Sequence, residues 1–294
     1  MNLRRIGCGV TPSLVALLAM TATAIPAQTT KVIDVNEPRP LWQALDALEI
    51  VVGGTINYED PPYENAADLQ DVSTPQQRAG TPGYQLLVPR AGHVTAEVQV
   101  PAATKAADNE VVFDVNLLLA SYRQNNLPGD FKVEQANGML YVTPTTVLGA
   151  NGVMRGVTSP MAALVTIPNA QRSALETAEA IFDAVYKATG LRIVMGTFPY
   201  WPTQMVSFGA AGEPARDALA RLFVQMAAAP LSYRLVFDPA PDRMRIFDYM
   251  LNVRRTAYVA PMAAPNPGSR VSPPPAATSQ QPAGNSPFTT KVKP

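Results

Sequence analysis

Two hydrophobic periods alternate along this chain. In PLWQALDALEIVVGG, Leu41, Leu45, Leu48 and Val52 fall on one helical stripe, and in SALETAEAIFDAVYKATG, Leu175, Ala178, Phe182 and Val185 do the same. The first run closes on Gly53 and Gly54 and the second on Gly190, residues that take the left-handed conformation in which helices stop. Ser173 and Glu176 have the spacing of a capping box. Each helix leads directly into a short apolar strand, around Ile56 and around Ile193. Later, TAEVQVP precedes a helix through Val112, Val115, Leu119 and Tyr122. QMVSFG precedes another through Pro214, Leu219, Leu222 and Met226, with Pro214 suited to a first helical turn. FKVEQANGMLYV and YRLVFDPAPDRMRIF read as hairpins, the first turning at Asn137-Gly138 and the second at a Pro/Asp segment.

These elements predict an α/β (α+β) fold of two small modules, residues 30–144 and 161–250, each ordered strand, helix, strand, strand, helix, strand, strand. A linker over 145–160 joins them. A shift of 137 residues superposes Leu45 on Phe182, Leu48 on Val185, Gly53 on Gly190, Ile56 on Ile193, Pro62 on Pro199 and Tyr63 on Tyr200. Helix starts lie 70 residues apart in the first half and 40 in the second, so the first half holds an insertion of 30, placed at about 62–91.

The ends differ in character from this middle. MNLRR followed by SLVALLAM and the small residues of TATAIPAQ is the pattern of a secretory signal peptide over 1–27, which predicts a periplasmic or secreted protein. The sole cysteine, Cys8, leaves with it, so no disulfide and no thiolate chemistry is expected. Residues 257–294 contain nine prolines among Ala, Ser, Gln and Asn, a composition too poor in apolar side chains to fold, and are expected to be disordered. Removal of the signal deletes Arg4 and Arg5 and leaves 21 basic against 23 acidic side chains. That balance predicts no nucleic-acid partner, and no later run is long enough to span a bilayer, so a soluble mature chain is expected.

KATGLRIVM, ARDALARLFVQ and LSYRLVFD, over about 165–250, resemble the short N-terminal (STN-like) domain of secretins and TonB-dependent receptors, a small α/β module in which two helices pack on short sheets. VVGGTINYED resembles it in the first half, where the insertion interrupts the pattern. The resemblance implies a binding or signalling module that contacts periplasmic or inner-membrane partners, and it implies no catalysis. The chain is also similar to exported bacterial proteins with a YEDPPY-like stretch, a similarity that implies no activity.

The chemistry available is narrow. His93 is the only histidine and reads as an exposed residue in a hairpin turn, so neither a two-histidine metal site nor a triad is expected. No phosphate-binding glycine loop and no G-x-S-x-G elbow is present. No cofactor or metal is expected. Glu59, Asp60, Glu64, Asp68 and Asp71 cluster in YEDPPYENAADLQD, which reads as a solvated acidic loop. The aromatic residues Tyr58, Tyr63, Phe198, Tyr200 and Trp201 gather at two strand ends. Tyr63 and Tyr200 occupy matched positions and are expected to cap their modules. Trp201 is matched by Glu64 and is the stronger candidate for contact with a partner. The reading is a non-enzymatic, exported adaptor of the cell envelope with candidate binding residues Trp201, Tyr200, Phe198, Tyr63, Tyr58, Glu59 and Asp60, its partner an envelope protein or glycan. The alternative is a glycan- or peptidoglycan-binding or carbohydrate-active protein using the acidic loop 59–71 and Trp201.

Overall fold

The computed structural model describes residues 29–80, 85–101, 108–198, 203–226, 230–240 and 246–256. The segment expected to be a signal peptide, the Pro-rich tail, Tyr200 and Trp201 therefore lie outside the described residues. The fold is mixed α/β. In chain order the first half runs β1 (Thr30–Glu37), α1 (Pro40–Val52), β2 (Ile56–Glu59), a small excursion, β5 (Gly92–Gln99), α3 (Asp108–Gln124), β6 (Asp130–Ala136) and β7 (Met139–Leu148). The excursion holds β3 (Leu69–Asp71), α2 (Pro75–Gly80) and β4 (Leu87–Pro89), and β3 pairs antiparallel with β4. After β8 (Met154–Gly156), the second half runs β9 (Leu164–Ser173), α4 (Ala174–Thr189), β10 (Ile193–Met195), β11 (Met205–Pro214), α5 (Ala215–Met226), β12 (Leu231–Phe237) and β13 (Tyr249–Arg255).

Local signals account for the helix boundaries. Helices α1 and α4 end at Gly53 (φ 65°) and Gly190 (φ 76°), each in the left-handed region where a side chain is costly. Ser173 and Glu176 form the capping box of α4. The β6–β7 hairpin turns on Asn137 (φ 53°) and Gly138 (φ 71°), the two consecutive positive values that a tight hairpin with right-handed strand twist requires. Pro214 falls at the end of β11, one residue before α5 rather than inside it.

The central sheet runs β10-β13-β12-β2-β7-β6, with β8 added alongside β7. Strands from both halves thus form one sheet, joined where β12 lies parallel to β2. Strand alternation sends successive side chains to opposite faces. Ile56, Tyr58, Leu140 and Val142 pack with α1 and α3 in one core. Tyr141, Tyr233, Leu235, Phe237, Tyr249 and Leu251 pack with α4 and α5 in the other. Two-stranded sheets, β1 with β5 and β9 with β11, cover the outer sides of the two helical layers.

One expected hairpin is not made. The segment containing His93 turns no hairpin, because β4 pairs with β3 whereas β5 pairs with β1. His93 sits within strand β5 and its Nε2 lies 2.6 Å from Oδ1 of Asp34 on β1, with both side chains largely exposed. Among the described residues no helix is long and apolar enough to cross a membrane.

Candidate functional site

All four residues of β2 are buried, because helices cover both faces of the sheet at its middle. Continuous burial suits Ile56 and Tyr58 but not Asn57 and Glu59, since a polar group withdrawn from water must find partners. Asn57 accepts from the backbone N–H of Tyr233 at 2.9 Å. Glu59 accepts from the Tyr233 hydroxyl. Burial pushes the Glu59 carboxyl above its ordinary range, with hydrogen bonding from Ser159 and Tyr233 offsetting part of that rise. These contacts tie the first half's central strand to the second half's β12.

Asp60, just past β2, accepts from four donors at the junction. Its backbone N–H donates to Leu235 O at 2.8 Å. Oδ1 accepts from the hydroxyls of Tyr58 (2.7 Å) and Tyr63 (3.3 Å), while Oδ2 accepts from Arg39 Nε (2.7 Å) and the Phe237 N–H (3.0 Å). Arg39 also donates to Phe237 O at 2.8 Å. This arginine precedes α1 with φ 55°, an uncommon backbone for a residue with a side chain, and its two bonds into the junction offset that local cost. Burial first, and then the adjacent Asp60, hold the hydroxyls of Tyr58 and Tyr63 well above the ordinary tyrosine range, so both remain protonated donors.

A second buried charge cluster lies between α1 and β12. Glu49, at one end of α1, accepts from the Ile56 N–H at 2.8 Å and from Arg234 Nη2 at 3.1 Å. Arg234 on β12 also reaches Asp46 and the carbonyls of Ile56 and Tyr233. Arg254 of β13 pairs with Asp46, which accepts in addition from the Trp42 indole at 3.0 Å. Desolvation raises the Glu49 carboxyl, opposed by Arg234 and the Ile56 N–H. The guanidinium of Arg234 is thus bonded to both α1 and β2.

This geometry corrects the expectation of a solvated acidic loop. Glu59 and Asp60 are fully buried and Asp68 nearly so, and only Glu64 and Asp71 reach the surface, where they pair with Arg155 and Arg78. The cluster was misread because β2 is covered on both faces, so its alternate residues do not reach water. Tyr58 and Tyr63 are buried as well, at 1% and 3% exposure. Phe198 is half-buried against the second core. Tyr200 and Trp201 fall outside the described residues. The sequence reading missed Arg39, Glu49, Arg234 and Arg254. Of these, Glu49 was detectable, because it lies four residues after Leu45 and three before Val52, within the apolar arc of α1.

Elsewhere, an open groove of about 770 Å3 follows β9 and β11, lined by Ile167, Phe208, Glu213 and Arg221 among others. Its cation is already engaged, since Arg221 pairs with Glu213 and lies 4.7 Å from the Phe208 ring centre. Among the described residues no three His, Cys, Asp or Glu side chains are grouped so as to hold a metal ion. No protein-family model matches the chain, and neither a curated protein nor a solved structure is significantly similar to it.

Proposed function

We propose that this chain is an exported, non-enzymatic interaction protein of the bacterial envelope, built from two STN-like units fused along one sheet. What carries the reading is the use made of the buried carboxylates. Glu49, Glu59 and Asp60 each bond to side chains or backbone of β12 and its neighbours, so the acidic groups nearest the aromatic strand end serve as fastenings between the halves. The strand pairings support the STN-like assignment. In 30–148, β1 pairs with β5 while β2, β7 and β6 lie side by side; in 164–255, β9 pairs with β11 while β10, β13 and β12 do. Binding is assigned to the segment that follows β10, with Trp201 as the contact residue and the half-buried Phe198 packed on the second core.

The test compares the wild-type protein with Trp201→Ala, both recovered from the periplasmic or culture fraction and sequenced from the N-terminus. The reading expects a start near Gln28, crosslinking to one envelope protein, and loss of that product in Trp201→Ala at an unchanged melting temperature. Selective binding to a glycan array with hydrolysis of the bound glycan would overturn it in favour of a carbohydrate-active protein. A protein beginning at Met1 would overturn export.

A further inference from the structure

The two ends of the central sheet are the same kind of surface as the two strands joined at its middle. In the triplet β2-β7-β6, β2 is parallel to β7 and β7 antiparallel to β6; in the triplet β10-β13-β12, β10 is parallel to β13 and β13 antiparallel to β12. Strand β6 therefore corresponds to β12, and β10 to β2. The chain already joins β12 to β2, while among the described residues β6 and β10 end the sheet's strand order. We infer that a second copy of this chain completes it, with β6 of one molecule lying parallel to β10 of the next and repeating the β12–β2 junction between molecules. This inference rests on the sheet alone and not on the functional reading above.

Register makes it specific. Ile56 pairs with Leu140 as Ile193 pairs with Tyr249, and Val133 pairs with Val142 as Leu235 pairs with Leu251. Lys132 thus stands where Arg234 stands, and Met195 where Tyr58 stands. At the internal junction Arg234 lies opposite Tyr58 and reaches Asp46 on α1. Counting seven residues back from the glycines that end α1 and α4 gives Asp46 in one helix and Asp183 in the other. Asp183 is exposed, as is Glu179 one turn earlier. A cation on one edge therefore meets Asp183 beside the other, as Arg234 meets Asp46 at the internal junction, with Tyr186 in the place of Glu49 and Glu179 as the second nearby acid. Lys132 meanwhile pairs with Glu134 on its own strand, and both are partly exposed. A lysine on an edge strand opposes indiscriminate strand pairing, so this edge is kept for a partner that offers an acid at the right place. Because the two edges differ, the contact is head-to-tail and extends beyond two copies unless it closes into a ring.

The test uses the full chain with Cys8→Ser, the sole native cysteine, and single cysteines introduced as Lys132→Cys or Met195→Cys. Mixing the two variants under mild oxidation is expected to give a covalent dimer that neither forms alone. Sedimentation of the wild-type chain is expected to show concentration-dependent association, weakened about tenfold by Lys132→Glu and restored when Asp183→Lys is added. The inference is overturned by a mixed dimer no more abundant than that formed by Lys132→Cys with an exposed cysteine on β1. It is equally overturned if Lys132→Cys dimerises alone, which would mean a symmetric β6–β6 contact, or if the folded wild-type chain stays monomeric at high concentration.

Discussion

Arg234 on β12 and Glu49 on α1 face each other across the junction of the two halves at 3.1 Å, each side chain 1% exposed. Removing one member of such a pair leaves the other charged and dry. Arg234→Met is therefore expected to cost about 3–5 kcal/mol in urea unfolding, and the Arg234→Met, Glu49→Met double variant to recover much of that loss. A single-variant cost below about 1 kcal/mol, the scale of an exposed pair, would contradict the burial of this pair.

Asp60 offers a comparison between two neighbouring acids. It accepts from four donors at zero exposure, whereas Glu64 pairs with Arg155 with both side chains 42% exposed. Asp60→Ala should destabilise the protein by about 3 kcal/mol or more, because Arg39, Tyr58 and Tyr63 lose a charged acceptor. Glu64→Ala should change stability by about 1 kcal/mol or less. Equal effects in chemical denaturation would place both residues in the same environment and contradict the structure.

Glu59 makes stability depend on pH in a defined direction. Burial raises its folded-state carboxyl above the ordinary 4.5, so between that value and the raised one the native state binds more protons than the unfolded chain. Stability from this group is then present below pH 4.5 and is lost as pH rises through the folded value. Glu59→Gln keeps an oxygen acceptor for Tyr233 and does not ionise. Its stability relative to wild type should increase as pH is raised from 4.5. A difference independent of pH would mean that Glu59 is solvated.

Much of the fold was legible because its helices and strands carry distinct periods and firm stops. Gly53, Gly190, the Ser173–Glu176 box and Asn137-Gly138 all appear where the pattern placed them. The site was less legible. An acid on an isolated four-residue strand gives the same sequence whether one face of its sheet is covered or both, and only the arrival of β12 and the second helical layer decides that Glu59 is dry. Arg234 escaped notice for the same reason, since in an ordinary half-exposed strand its alternation with Tyr233 and Leu235 would send it to water. The β4–β5 hairpin failed because both strands found partners outside it.

Gly209 lies where the β9–β11 register shifts between Phe208 and Ala210. A Cβ there would come within 2.9 Å of the backbone Cα and N of Asn169, which cannot move aside as a side-chain tip could. Gly209→Ala should cost about 1–3 kcal/mol by thermal unfolding. Gly138→Ala, with open space around it but φ 71°, should cost less and act through the turn alone. A neutral Gly209→Ala would contradict the close approach of the two strands.

The halves share one sheet and stand or fall together at β2 and β12. Scanning calorimetry of the protein tests it most directly. One transition is expected, with calorimetric and van't Hoff enthalpies in agreement, and Asp60→Ala should move that whole transition to lower temperature. Two separable transitions, only one of them displaced by Asp60→Ala, would contradict it.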